Sequence, residues 1–284
     1  MADMRSAAFS RTPSYVLTGG LAVLFLFPLI WSAVASVSPS AGSNQAFGYG
    51  LGNYATLISF GAGLPTFAFN SVVISTLTVC FVLGVSLLGG YAFARFSFPG
   101  KNVIFLTTLA ILMVPYATLL IPLYLLHNFA RTIPIVSFVA GMDLVWLALV
   151  LGMFQLPFAI FMMRISFESV PRELDEAALV DGAGTLGVLR HILLPAVVPG
   201  IVTVGLFAFL AAWNDFLAPL ILINSSSEQP LPLALVNLRQ QTMGAVDFGS
   251  TQAGVVVMAI PCLLLFLVLQ RYYVQGFMSG AIKG

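Results

Sequence analysis

Six apolar runs, each long enough to cross a bilayer, leave little choice of fold. They cover residues 15–37, 67–93, 103–126, 137–163, 197–223 and 253–272, and each is bounded by charges or turn-forming residues. A crossing helix needs about 20 predominantly apolar residues. Within hydrocarbon every backbone N–H and C=O has to be paired inside the protein, and a long unbroken apolar run does this as a helix. Sixty per cent of the residues are hydrophobic and 7% are charged, against about 25% charged in a soluble domain. The expectation is an all-α membrane protein with six transmembrane helices, forming one membrane domain over residues 1–284. The fourth run carries Asp143 near its start and Pro157 inside it. Proline is tolerated there when neighbouring groups satisfy the freed backbone.

Orientation follows from the cations. With the N-terminus inside, Arg5, Arg11, Arg95, Lys101, Arg164, Arg172, Arg190, Arg271 and Lys283 lie on the cytoplasmic side, and Arg131 and Arg239 lie outside. Cytoplasmic loops carry the excess of Lys and Arg, so both termini are placed in the cytoplasm, as an even number of spans also requires. Arg5, Arg11 and Ala33-Val34-Ala35 imitate a secretory signal and its cleavage site. The apolar core between them exceeds the roughly 7–15 residues of such a signal. Removing it would leave five spans and spoil the charge balance, so it is read as the first span.

Between the fourth and fifth runs, residues 168–195 hold five of the ten acidic residues and form a structured cytoplasmic loop. Pro171 early, Glu173, Asp175 and Glu176 near the start and Gly182 at the end match the chemistry of helix starts and stops. Leu174, Ala177, Ala178 and Asp181 recur at helical spacing, giving a short amphipathic helix with a mostly small, apolar stripe. Leu186, Leu189 and Leu193 repeat the pattern from Thr185 onward, so two short helices hinge at residues 182–184. The residues alone leave two readings open: packing beneath the chain's own membrane helices, or close approach by another protein.

Glu176-Ala177-Ala178, then Gly182, then Ile192, Leu194 and Pro195 resemble the Glu-Ala-Ala loop of binding-protein-dependent ATP-binding cassette importers. The likeness extends to Tyr91-Ala92-Phe93-Ala94-Arg95 with Phe98-Pro99-Gly100-Lys101, Ile121-Pro122-Leu123-Tyr124, Pro157-Phe158-Ala159-Ile160-Phe161, Trp213-Asn214-Asp215-Phe216 and the tail from Gln270 to Gly284. Together these are similar to the second permease subunit of the maltose type, in the bacterial inner membrane. Leu186 and Leu189 depart from that pattern, which commonly has an aromatic there. The resemblance implies a sugar importer of two permeases, two nucleotide-binding subunits that carry ATP and Mg, and an external sugar-binding protein. It also implies that Glu176, Ala177, Ala178, Asp181, Gly182, Ile192, Leu194 and Pro195 couple the chain to the ATPase subunit, and that the partner permease supplies the larger part of the sugar contacts.

Other chemistry finds no footing. Gly100-Lys101 is followed by Asn102 and lacks the glycine five residues earlier, so there is no phosphate-binding loop. No basic stripe suits nucleic acid. His127 and His191 fall on opposite membrane faces, and Cys80 and Cys262 match no metal or redox spacing. No catalytic residue, metal or cofactor is expected on this chain. Acids within membrane runs are functional suspects because charge is costly there. Asp143 and Asp215 both map toward the outer half, where polar anchoring in the bundle is the first reading. Asn214 and Asp215 are also candidates to touch sugar hydroxyls along a substrate path. Phe207, Phe209, Trp213 and Phe216 read as lipid-facing or core aromatics. The rival classes are an ion- or proton-coupled secondary transporter, which usually shows internal repeats or several mid-membrane charges, and a structural membrane subunit without transport activity.

Overall fold

The computed structural model describes residues 2–39, 48–134, 136–241 and 247–281, and among these all regular structure is helical. Along the chain the elements are α1 (Ala2–Val37), α2 (Gly52–Ser59), α3 (Leu64–Arg95), α4 (Lys101–Ala110), α5 (Tyr116–Ala130), α6 (Ser137–Ala140) and α7 (Asp143–Glu168). Then come α8 (Arg172–Val180), α9 (Thr185–Val188), α10 (Leu194–Ala196), α11 (Val198–Asn214), α12 (Leu217–Leu222), α13 (Leu231–Gln241) and α14 (Phe248–Ala281). A 3-10 turn (Ile111–Met113) follows α4, and a π turn (Leu189–Leu193) joins α9 to α10.

Four segments are long and apolar enough to cross a membrane alone: Tyr15–Val37, Leu64–Arg95, Asp143–Glu168 and Phe248–Tyr272. Two more are bent pairs, Lys101–Met113 with Tyr116–Ala130 at 101° and Thr185–Ala196 with Val198–Asn214 at 75°, giving up to six by length and composition; the Thr185–Ala196 arm of the second belongs to loop 168–195, and the fifth run begins beyond the bend. The fourth apolar run differs from expectation at its start, because Ser137–Ala140 forms a separate single turn and α7 begins at Asp143.

The break in the third span and the one within the fifth run share a cause. Proline has no N–H to donate, and its ring clashes with the carbonyl four residues back. Pro115 is extended (φ −61°, ψ 122°) where the third span bends. The fifth apolar run is continuous in sequence to residue 223. Instead α11 stops at Asn214, Asp215 is extended, and α12 restarts with Pro219 in its first turn. A continuous helix would need Pro219 to donate to Asp215. Pro122, Pro157 and Pro261 sit inside helices without ending them.

The described residues fall into two compact units, residues 1–64 with 235–261, and residues 65–234 with 262–284. In the first, buried Asn53 donates from Nδ2 to the carbonyls of Ser36 (2.9 Å) and Ser38 (2.8 Å), pairing groups that the end of α1 leaves free. Asp247 caps α14 through Oδ1, which accepts from the Ser250 amide at 3.0 Å. Tyr15, Leu24, Phe25 and Ile30 of α1 are all more than half exposed. A bare apolar surface of that size suits a bilayer or a partner's helices.

The second unit has two cores. One joins Val82 and Ala94 of α3, Met163 and Phe167 of α7 and Val204 and Ala208 of α11 to Ala178, Val188, Leu189 and Leu193 of the loop. The other joins Ile74, Leu120, Leu147, Leu151, Ala212 and Leu222. Lipid tails are as apolar as leucine, so helices in a membrane associate through close packing, and small residues let their backbones approach. Gly90 does this between α3 and α7: a Cβ there would lie 2.5 Å from the Met163 Cβ and 2.9 Å from the Arg164 amide nitrogen.

Candidate functional site

Loop 168–195 is mounted rigidly on the membrane helices. Pro171 (φ −56°, ψ 137°) precedes α8, and Glu173 and Asp175 occupy its first turn, where acids complement the positive helix end. At the other end the Gly182 amide donates to the Leu179 carbonyl (3.1 Å) and the Ala183 amide to the Ala178 carbonyl (3.0 Å). This is a Schellman cap, with Gly182 at φ +86°, a region that glycine enters without the Cβ penalty. From Thr185 the chain runs through the π turn and α10 before bending at Val197.

Arg95, at the inner end of α3, clamps α8. Its Nε lies 2.7 Å from Asp175 Oδ2, with the two side chains 7% and 17% exposed. Its Nη2 donates to the Val170 carbonyl (2.9 Å), and Arg172 Nη2 returns a bond to the Ala94 carbonyl (3.2 Å). Sequence reading picked out Arg95 as part of a turn and Asp175 as a helix-start acid, but nothing local in either segment signals their pairing.

The expected coupling residues divide by face. Glu176, Ala177, Asp181, Gly182 and Pro195 are exposed, and Ile192 and Leu194 are half-buried. Ala178 is buried in the chain's own core with Val188, Leu189 and Leu193. The outward face is larger than expected. Leu174, Leu179, Val180 and Leu186 are 48%, 53%, 87% and 75% exposed. Alanine at 178 is small enough to let α8 seat on α7 and the π turn.

A second polar group lies at the break in the fifth span. Asp215 accepts from the Tyr116 hydroxyl on Oδ2 (2.8 Å) and from the Ala218 amide on Oδ1 (2.9 Å), so it caps α12 and ties it to α5. Its neighbour Asn214 is exposed and donates to the Leu210 carbonyl of its own helix (2.8 Å). Polar anchoring therefore accounts for Asn214, whereas Asp215 also lines a cavity of about 330 Å³ with Tyr116, Phe154 and Gln155. Among the aromatics, Trp213 is buried and stacks on Phe209 (centroids 5.5 Å apart), Phe207 is edge-on to Phe158, and Phe216 is exposed.

At the start of α7, Asp143 is a buried anchor, its Oδ1 3.7 Å from His127 Nε2 and 3.6 Å from Arg131 Nη1. The His127 ring stacks on Trp146 with centroids 5.1 Å apart. In the loop before α13, burial first and then Asp143 push the Glu228 carboxyl above the ordinary glutamate range, with Arg131 pulling the other way. No group of three or more His, Cys, Asp or Glu suited to a metal ion occurs among the described residues.

The family of binding-protein-dependent transport system inner membrane components matches residues 83–278, a stretch that contains α8, the Schellman cap, the π turn and the broken fifth span. The chain belongs to this family. It is an inner-membrane transport component. Its relatives include the trehalose transport system permease protein SugB of Mycobacterium tuberculosis, 33% identical over 76% of this chain and 76% of that one. The arabinooligosaccharides transport system permease protein AraQ of Halalkalibacterium halodurans is 31% identical over 95% of this chain and 97% of its own length. A bacterial transporter that imports the acidic polysaccharide alginate contains a chain of the same fold, with a TM-score of 0.74 at 21% identity, covering 95% of this permease and 98% of that chain.

Proposed function

We propose that this permease is the membrane-spanning channel subunit of an ATP-driven sugar importer, its alternating access driven by a separate nucleotide-binding subunit docked on loop 168–195. The observation that carries the reading is the pair of apolar side chains Val180 and Leu186, exposed on a loop that is clamped to α3 by Arg95 and that buries Ala178, on the side of α8 away from Val180. Exposed apolar patches mark interaction sites, and a rigid mount lets a docked partner push on α3 and α7. Glu176, Ala177, Asp181 and Gly182 border that face, and Ile192, Leu194 and Pro195 join it to α11. The lever biases a two-state bundle between inward-facing and outward-facing forms.

The sugar class rests on relatives whose names specify trehalose and arabino-oligosaccharides, and on the permease of a diacetylchitobiose uptake system in Streptomyces coelicolor, 33% identical over 77% of this chain. The assembly would comprise a second permease, two ATPase subunits holding ATP and Mg, and an extracytoplasmic sugar-binding protein. Hydrolysis belongs to the ATPase subunits.

Cross-linking tests the docking. With Cys80→Ala and Cys262→Ala in place, Val180→Cys and Ala177→Cys should cross-link to cysteines in a groove of the ATPase subunit, with a yield that changes on adding ATP. Ala178→Cys should not, because it faces inward. Cross-links from Val180→Cys confined to the chain's own helices would reduce the loop to internal packing.

A further inference from the structure

We infer that the cavity at the two helix breaks is a subsite for a neutral sugar unit, built by this subunit from Tyr116, Phe154, Gln155 and Asp215. The inference rests on the importer reading above. Non-helical backbone at membrane depth is tolerated only where it is buried in protein or lines a water-filled space. Here two such stretches meet: residues 114–115, where the third span bends through 101°, and residues 215–216, where α11 gives way to α12. Both border the same cavity of about 330 Å³, with Val114 from one break and Asp215 from the other. That volume is at the lower end of ligand pockets, roughly 300–1,000 Å³.

The lining has the chemistry of hydroxyl recognition. Asp215 accepts from Tyr116, from the Ala218 amide and from the Leu217 backbone, and a carboxylate has about four acceptor sites, so about one remains for a ligand hydroxyl. Gln155 lines the wall, half-buried, and its amide has no hydrogen-bond partner among the described residues. An amide that faces the cavity with its donors and acceptor unused can pair there with water or with a hydroxyl-bearing ligand. Tyr116 and Phe154, edge to face with centroids 4.8 Å apart, add an aromatic corner for the apolar face of a sugar ring.

Charge sets the selectivity. The lining holds one acid, Asp215, and no cation. A sugar bearing its own carboxylate would meet like charge, and a neutral one would not. A site built to pair hydroxyls also discriminates strongly, because an ill-fitting ligand leaves its polar groups unpaired.

The test uses the assembled complex of both permeases and both ATPase subunits in proteoliposomes, without the binding protein, in the Cys80→Ala/Cys262→Ala background. Gln155→Cys is labelled with a water-soluble thiosulfonate in the presence of trehalose, N,N′-diacetylchitobiose, arabinotriose or a mannuronate trisaccharide, each at tens of millimolar. We expect labelling from the aqueous phase, slowed about tenfold by at least one neutral sugar and unaffected by the mannuronate. Adding Asp215→Asn, which keeps a capping side chain, should make the mannuronate protective. No labelling at all, equal labelling with every sugar, or protection by the mannuronate with Asp215 intact overturns the subsite. ATP-driven uptake of the same sugars by the complex with its binding protein separates the failures. Uptake without protection defeats the subsite alone, and no ATP-driven uptake defeats the importer reading with it.

Discussion

Arg95 and Asp175, eighty positions apart in the chain, form an ion pair of 2.7 Å that fastens α8 to the inner end of α3. Removing one partner of a buried pair leaves an uncompensated charge and costs about 3 kcal/mol. Arg95→Ala should therefore lower the melting temperature of the purified complex and loosen the lever, so that ATP hydrolysis continues while uptake falls about tenfold. Because one contact is being lost twice, the double variant Arg95→Ala/Asp175→Ala should lose less than the sum of the two single losses. Additive losses would show that the pair carries no coupling.

Gly182 sets the angle between α8 and α9 at φ +86°. A β-branched side chain there is a backbone outlier costing roughly 1–2 kcal/mol. Nothing lies within 4 Å of its would-be Cβ, so the penalty is conformational and not steric. Gly182→Val should retain ATPase binding in a pull-down, because Val180 and Leu186 are untouched, while the number of ATP molecules hydrolysed per sugar imported rises severalfold. Gly182→Asn, which tolerates this region better, should fall between the two.

Two glycines of α3 should behave in opposite ways. A Cβ at Gly90 would collide with Met163 and the Arg164 backbone, whereas at Gly84 it meets nothing within 4 Å. Overpacking costs typically about 1–3 kcal/mol. Gly90→Ala should reduce the yield of folded complex in detergent and its melting temperature, and Gly84→Ala should leave both unchanged or slightly improved. Equal effects would contradict the helix crossing.

Glu228 should contribute a pH dependence of defined sign. Its carboxyl titrates above the ordinary glutamate range because burial, and then Asp143, disfavour the charged form. The folded state thus binds this proton more tightly than the unfolded one, so its contribution is fully present below the unfolded value and is lost as pH rises through the folded one. In melting curves from pH 4 to 7, the wild type should lose stability relative to Glu228→Gln as pH increases. A difference independent of pH, or one of opposite slope, would contradict the placement of Glu228 beside Asp143.

The crossing segments and the cytoplasmic loop were legible because hydropathy over about 20 residues and the placement of Arg and Lys are properties of the chain itself. The breaks were not. Pro115 and Pro219 end helices, whereas Pro122, Pro157 and Pro261 are accommodated within them, and the difference depends on which neighbours satisfy the freed backbone. The inward turn of Ala178 was also hidden, since alanine suits either side of a short amphipathic helix. The cavity joins Tyr116, Gln155 and Asp215 from three separate segments, and no local spacing connects them.

On the proposed function, ATP bound by partner subunits, and not an ion gradient, drives movement through this chain. This is tested by uptake of radiolabelled trehalose, N,N′-diacetylchitobiose and arabinotriose into proteoliposomes containing the full complex and its binding protein. ATP should drive accumulation of at least one of these sugars in the presence of a protonophore and a sodium ionophore, and leaving out the ATPase subunits should abolish it. Accumulation driven by a proton or sodium gradient in vesicles that lack the ATPase subunits would make this chain part of a secondary transporter instead.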